Sequence, residues 1–379
     1  MKKVERILIV TAGFGNGHIQ AAHSLRLSCE RYGIDQVHIM DLLKEAHPYI
    51  NKITTSLYIK SMRISQYGFD YYGWSYYITK DAKFHVGWGR YVNNLGHNKL
   101  KETMKLIRPD AVISTFPFGA VPELCAHWGI PVFTVVTDFT LHARWIHPNI
   151  DKYYVAASEL KEQLISKTVA RHQIEISGIP IRHAFDGVEP TGPGPFTSRM
   201  DQKRKTILIL AGSYGVLSKV GEMIDFLKRI SGSQMAIVCG RNQKLERQLR
   251  AKYEHEPHVH IYGFVENIHQ LMAISSCIVT KAGGLTLSEA LALQVPVFIF
   301  KPYAGQEKEN ALFLSGKGAA CVSQHIEELA FQMEQFLTQP QYAAEMKWSM
   351  RLLHKKSAAD SIIRDMLQSI NQRKWSKTN

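Results

Sequence analysis

The chain has 379 residues, of which 45% are hydrophobic and 21% charged, a globular composition long enough for two domains and unlike that of a disordered, collagen-like or coiled-coil protein. Its apolar runs, such as Leu291–Phe300, fall short of the roughly 20 residues a spanning helix needs. Lys and Arg outnumber Asp and Glu to give a net charge of +13, which favours anionic partners (nucleic acid, phosphorylated metabolites or an acidic membrane surface) without choosing among them.

In chain order, short β-branched runs alternate with helix-length segments. Arg6–Ala12 reads as a buried strand rather than a signal peptide, because the apolar run is short and leads into a glycine turn without a cleavage site. Ile19–Tyr32 reads as a helix, and Val37–Asp41, Ala111–Thr115, Pro131–Thr137, Lys152–Ala156 and Ile174–Gly178 as further strands. A second series follows at Thr206–Ala211, Met235–Cys239, Val259–Tyr262, Cys277–Lys281 and Pro296–Phe300. Alternation of this kind specifies α/β domains with parallel sheets covered on both faces. The Pro- and Gly-rich stretch between Asp186 and Met200 reads as a linker. The expected division is an N-terminal domain at 1–190, a linker at 191–200, a second domain at 201–345, and a C-terminal helix with a basic tail at 346–379 that packs back on the first domain. Ligands are expected at the C-terminal ends of the strands, in the cleft between the domains.

Two other features stand out. Residues 48–98 hold twelve aromatics together with Lys52, Lys60, Arg63, Lys80, Lys83 and Arg90. The five cysteines are widely spaced, with no pair at zinc or redox spacing, and read as reduced core thiols.

Three βα turns carry candidate chemistry. Gly13–His18 follows the first strand, where glycines permit a sharp turn and a helix N-terminus offers free amides. A dinucleotide fingerprint would place glycine where His18 stands, although Asp41 lies where a dehydrogenase would hold its ribose. At a helix N-terminus His18 is biased toward the neutral imidazole, either as a general base or as a simple cap. Ala211–Gly215 repeats the logic with Ser213 as an added hydroxyl. The strongest is Thr280–Glu289 followed by Pro302–Asn310. A phosphate at that helix start would put Glu289 near ribose hydroxyls, with Gln306 and Glu307 as acceptors for sugar hydroxyls; an ordinary capped helix with solvated acids is the alternative.

Together, GNGH at 15–18, SGIPIR at 177–182, GFVENI at 263–268, KAGGLTLSEA at 281–290 and GQEKEN at 305–310 resemble a GT-B glycosyltransferase: two Rossmann-like doubly wound domains facing each other across a cleft. More narrowly, the chain resembles the monogalactosyldiacylglycerol synthase and processive diacylglycerol beta-glucosyltransferase family, relatives of the peptidoglycan N-acetylglucosaminyltransferase. TDFTLHARWIH at 137–147 and the aromatic basic insert favour the diacylglycerol branch. The resemblance implies an inverting transfer of a hexose, with glucose favoured, from a UDP-sugar to diacylglycerol, and repeated addition is compatible with it.

It also implies roles for residues. Phe264 and Val265 would pack on uracil, and Glu289 would hold the ribose. Gly17, Ser213 and the amides of Gly283, Gly284, Leu285 and Thr286 would serve the donor, with Arg182 as the counter-charge of the diphosphate. Gln306, Glu307 and Asn310 would read the hexose. His18 would take the acceptor proton, with Asp138 either orienting it or acting as the base. Lys80, Lys83, Arg90, Trp74, Trp88, His142 and Trp145 would face acceptor or membrane. A dimer face or a buried aromatic cluster is the other reading of the insert. No cofactor and no metal are expected, in keeping with the lack of an Asp-x-Asp motif. The expected partners are a UDP-hexose, diacylglycerol with its glycosylated products, and an anionic membrane surface. Nucleic acid is not expected, and the expected location is cytoplasmic, peripheral on the inner face of the cell membrane. A UDP-sugar 2-epimerase of similar build and a non-catalytic UDP-sugar or membrane sensor are the competing functions.

Overall fold

The computed structural model describes residues 4–13, 17–46, 96–186, 196, 198, 200–212 and 217–378, with side chains to 372. The insert at 48–98 is therefore described only from residue 96. Lys80, Lys83, Arg90, Trp74, Trp88, Ser213 and most of the expected linker lie outside the described residues. The chain forms two compact units, one ending at His183 and resuming at Lys355, the other spanning Ala184–His354.

In the first unit, β1 (Arg6–Thr11), β2 (Gln36–Asp41), β3 (Ala111–Ser114), β4 (Val132–Val135), β5 (Lys152–Val155) and β6 (Ile174–Ile176) form one parallel sheet. Helices α1 (Gly17–Arg31), α2 (Leu42–Ala46), α3 (His97–Ile107), α4 (Ala120–Trp128) and α5 (Ser158–Ser166) connect the strands. Runs such as RILIVT are β-branched and buried along nearly their whole length, as a parallel strand packed on both faces requires. The strand order is β2-β1-β3-β4-β5-β6, so the chain reverses its direction of growth between β1 and β3. In open α/β sheets ligands bind at such a switch point, outside the strand C-termini.

The second unit contains β7 (Lys205–Leu210), α6 (Val220–Leu227), β8 (Ser233–Val238), α7 (Gln243–Lys252), β9 (Val259–Tyr262), α8 (Ile268–Ala273) and β10 (Cys277–Thr280). It continues through α9 (Gly284–Leu293), β11 (Val297–Phe300), α10 (Gln306–Gly316), β12 (Ala320–Ser323), α11 (Ile326–Thr338) and α12 (Pro340–Leu353). Its sheet order, β12-β11-β10-β7-β8-β9, puts the switch point between β7 and β10. Strand β12 has no counterpart in the sequence reading. It is four residues long, sits at the sheet edge, and leaves Cys321 and Val322 only half-buried, so no apolar run announces it.

The C-terminal stretch expected as one helix with a basic tail at 346–379 is shared between two helices. Pro340, at the first position of α12, is pre-set for a helix start. The helix ends at Leu353, Ser357 turns left-handed with φ 53°, and α13 (Ala358–Thr378) begins. Residues 346–354 thus pack in the second unit, and the chain from Lys355 belongs to the first. There Ile362, Ile363, Met366 and Ile370 join Ala22, Leu25 and Cys29 of α1 in one buried cluster. Asp360 accepts from Ser28 and Arg31, and Asp365 accepts from Lys152 Nζ at 2.7 Å and from Tyr154 Oη at 2.8 Å. Gly178 has φ +81°, and a Cβ there would stand 2.6 Å from the Lys355 Cβ. Only glycine satisfies both the dihedral and the space at that crossing.

Candidate functional site

The first unit gathers polar residues where three neighbouring strands end. His18 opens α1 after β1, Thr115 follows β3, and Thr137 and Asp138 follow β4. The His18 Nδ1 lies 3.0 Å from the Thr115 carbonyl and 2.8 Å from Thr137 Oγ1. A carbonyl only accepts, so Nδ1 carries the proton and Nε2 is left as the basic nitrogen. Thr115 is braced in turn, its hydroxyl 2.8 Å from Thr11 Oγ1. The Phe116 ring meets the imidazole edge-on at 5.2 Å and 88°, with Phe118 4.8 Å beyond it, which gives the histidine an apolar wall. Burial holds the imidazole below its ordinary pKa, while the charge of Asp138 and the bond to Thr115 pull the other way. The net result is a neutral imidazole at neutral pH, the protonation state a general base needs. Asp138 itself is buried at 4% exposure.

Asp41 behaves differently from a dinucleotide-binding acid. Its Oδ1 accepts from the Lys44 amide at 3.1 Å and caps α2, and its Oδ2 would stand 2.9 Å from a Cβ at Gly13. The carboxylate is committed to holding the turn. Gly17 is the first residue of α1 and half-buried. His142 Nδ1 accepts from the Arg144 amide at 3.1 Å and caps the short turn Ala143–Trp145. Trp145, expected toward acceptor or membrane, is buried at 4% exposure; its indole is part of the interior, which corrects the expectation of a surface role. Arg182 is half-buried and lies in this unit with His18 and Gly17, whereas the remaining described donor-side residues belong to the second unit.

In the second unit the switch point brings together the ends of β7 and β10, which pair in register from Ile207 with Cys277 to Ile209 with Val279. The turn after β10 leads through Lys281 and Gly283 into α9, and a Cβ at Gly283 would meet nothing within 4 Å. The space beside this helix N-terminus is therefore open to a ligand's approach, and the amides of Gly284, Leu285 and Thr286 in the first turn have no intrahelical acceptor. Glu289, one turn further, is buried at 6% exposure.

Strand β11 leads to Gly305, whose φ of 90° and ψ of −139° belong to a region essentially reserved for glycine. This bend starts α10 with Gln306 half-buried and Glu307 buried. Glu307 Oε1 forms an ion pair with Lys281 Nζ. Asn310 is fully buried and donates from Nδ2 to the Ala282 carbonyl at 3.1 Å, so α10 and the β10–α9 turn are fastened together. Phe264, after β9, is 58% exposed, with the Arg241 guanidinium 5.3 Å from its ring centroid; Val265 beside it is half-buried. The structure thus ties Lys281 and Ala282 of the β10–α9 turn to Glu307 and Asn310 of α10. Phe264 and Val265 follow the sheet-edge strand on the other side of β7.

Residues of these clusters that escape sequence reasoning include Thr115, Thr137, Phe116 and Lys281. Lys281 stands inside a motif singled out from the sequence, yet its partner is 26 residues away, and local pattern carries no signal for it.

Two doubly wound six-stranded sheets with ligand-type turns at both switch points define the GT-B architecture. Solved structures share it. The Staphylococcus aureus MnaA–UDP co-structure has a TM-score of 0.67 at 12% identity, covering 97% of each chain. The Neisseria meningitidis UDP-GlcNAc 2-epimerase bound to UDP-GlcNAc has a TM-score of 0.63 at 14% identity, covering 96% of this chain and 99% of that one. At such identities the likeness concerns the fold alone. The family model for monogalactosyldiacylglycerol (MGDG) synthase matches residues 18–181, and that for the glycosyltransferase family 28 C-terminal domain matches residues 206–363. The processive diacylglycerol beta-glucosyltransferase of Bacillus subtilis (strain 168) is 38% identical over 373 residues, 97% of this chain and 96% of the relative. The chain belongs to this family of diacylglycerol glycosyltransferases.

Proposed function

We propose that this chain is an inverting glycosyltransferase that moves a hexose, glucose in the first instance, from a UDP-sugar to the hydroxyl of diacylglycerol, and that it can act again on its glycolipid product. The full-length match to a processive diacylglycerol beta-glucosyltransferase carries the substrate class. The His18 geometry supplies the chemistry. With Nδ1 held by the Thr115 carbonyl, Nε2 accepts the acceptor hydroxyl's proton as the oxygen attacks the anomeric carbon. The C–O bond to the diphosphate breaks from the opposite face, with inversion. Negative charge then grows on the departing UDP, where helix-start amides and the Arg182 guanidinium stabilise it more than they stabilise the ground state. Asp138 favours the imidazolium as it forms, since its charge raises the affinity of His18 for a proton. In the second unit, Glu289 holds the ribose, the Gly283–Thr286 turn the diphosphate, Phe264 and Val265 the uracil, and Gln306 and Glu307 the sugar.

Among the described residues no helix is long and apolar enough to cross a membrane. A lipid acceptor nonetheless requires a surface that meets the bilayer. We assign that role to the aromatic basic insert, whose Tyr and Trp suit the interface and whose Lys and Arg suit anionic headgroups. Replacing Lys80, Lys83 and Arg90 by Glu should abolish sedimentation with anionic vesicles, and unchanged sedimentation would remove the insert from this role.

The deciding experiment incubates the protein with labelled UDP-glucose or UDP-galactose and diacylglycerol vesicles. Label in the lipid phase supports the transferase. Label appearing only as an epimerised free UDP-sugar would make the chain an epimerase, and unaltered UDP-sugar a sensor.

A further inference from the structure

Glu307 is an unusual carboxylate. It is 9% exposed on the first turn of α10, with Oε1 engaged by Lys281 Nζ. Its Oε2 is buried and has no hydrogen-bond partner among the described residues. A buried acceptor left unsatisfied costs on the order of 1–3 kcal/mol, and more when charged. Such an oxygen is tolerated where a bound molecule supplies the donor. The carboxylate is also held from two sides. Lys281 projects from the β10–α9 turn to fix Oε1, and Asn310, one helical turn along α10, fastens the Ala282 carbonyl of the same turn. The two ties set the direction in which Oε2 points.

We infer that Lys281 is a positioning residue for the donor sugar: its ammonium pins one oxygen of Glu307 and leaves the other to a hexose hydroxyl in a defined direction, so that discrimination between hexoses runs through Lys281. Asn310 then serves as a brace for the turn rather than a sugar contact. This deepens, and rests on, the reading of Gln306 and Glu307 as the hexose end of the UDP-sugar site.

The choice of lysine matters. An ammonium is a compact point charge that can occupy one carboxylate oxygen, whereas a guanidinium fork takes both. Arginine at 281 would preserve the charge pair and consume the acceptor. Calorimetric titration of the full chain with UDP, UDP-glucose and UDP-galactose tests this for the wild type, Lys281→Met and Lys281→Arg. Both variants should keep the UDP dissociation constant within about threefold, while the ratio of the two UDP-hexose constants shrinks by roughly tenfold. The ratio of kcat/KM values in the vesicle assay should shrink in parallel. Wild-type discrimination in Lys281→Arg would reduce Lys281 to a charge partner and overturn the inference. Equal weakening of UDP and both UDP-hexoses would do the same, since it would mark Lys281 as a support for the turn alone. Should Lys281→Met fail a thermal-melting check of folding, Lys281→Arg decides by itself. A wild type that binds the two hexoses equally would instead remove α10 from the sugar site and end the underlying reading.

Discussion

Replacing His18 by Ala probes the proposed chemistry most directly. General-base assistance contributes roughly 10²–10⁴ in rate, which is about 3–5 kcal/mol of transition-state stabilisation. The variant should lose that factor in turnover. The residues assigned to uracil, ribose and sugar lie in the other unit, so the UDP dissociation constant should stay within about twofold. The pH profile adds a second constraint. Burial lowers the His18 pKa from the ordinary 6.5, so the base is fully deprotonated at neutral pH and kcat/KM should decline only as pH falls below that value. Asp138 raises the His18 pKa through its charge, so Asp138→Asn should move the acid limb to still lower pH while leaving a limb visible. Single-turnover transfer of radiolabelled glucose to diacylglycerol across this range measures both. If His18→Ala turns over normally while Asp138→Asn is dead, the base is Asp138 and the argument from the Nδ1 contacts fails. The same shift affects folding. Because the folded imidazole binds a proton less readily than the unfolded one, its stabilising contribution is present above pH 6.5 and is lost as pH falls. Urea midpoints at about pH 7.5 and about pH 5.5 should fall in that order.

Glu289→Ala should raise the UDP dissociation constant by roughly tenfold or more, the scale of a lost hydrogen bond to a charged group; an unaltered constant in calorimetry would withdraw its ribose role. Gly178→Ala should destabilise the protein by about 2–4 kcal/mol, combining the left-handed penalty with overpacking against Lys355, and an unshifted urea midpoint would mean that the loop and the start of α13 separate without cost. The five cysteines are unpaired, four of them buried, and burial pushes the Cys29 thiol up to about 12 and Cys239 to about 11. Brief iodoacetamide treatment at neutral pH should therefore label the native chain at Cys321 at most, and mass spectrometry finding rapid labelling of Cys29, Cys125 or Cys277 would contradict the packing described.

Much of this protein is written locally. A β-branched run buried on both faces, a glycine turn and a helix-length segment occur within thirty residues, and each repeat of that unit is recognisable because burial imposes its own period on the sequence. The α/β class, the strands beginning at Arg6, Lys152 and Cys277, and the turns at His18, Gly283 and Gln306 were legible for that reason. Glycine carried information where geometry demanded it, as at Gly305. The sequence was silent where short elements lack a period, as for β12, or where a helical pattern continues through a break, as at His354–Ser357. It could not show that Trp145 is buried, because an aromatic in a basic segment suits an interface and a core alike. The pairing of His18 with Thr115 and Thr137, and of Lys281 with Glu307, came only from tertiary structure. Those partners stand 97, 119 and 26 residues apart, and they meet because strand order decides which strand ends are neighbours. Local pattern encodes which residues are buried; sheet topology decides which of them touch, and the direction of an imidazole proton or of a spare carboxylate oxygen is settled at that second level.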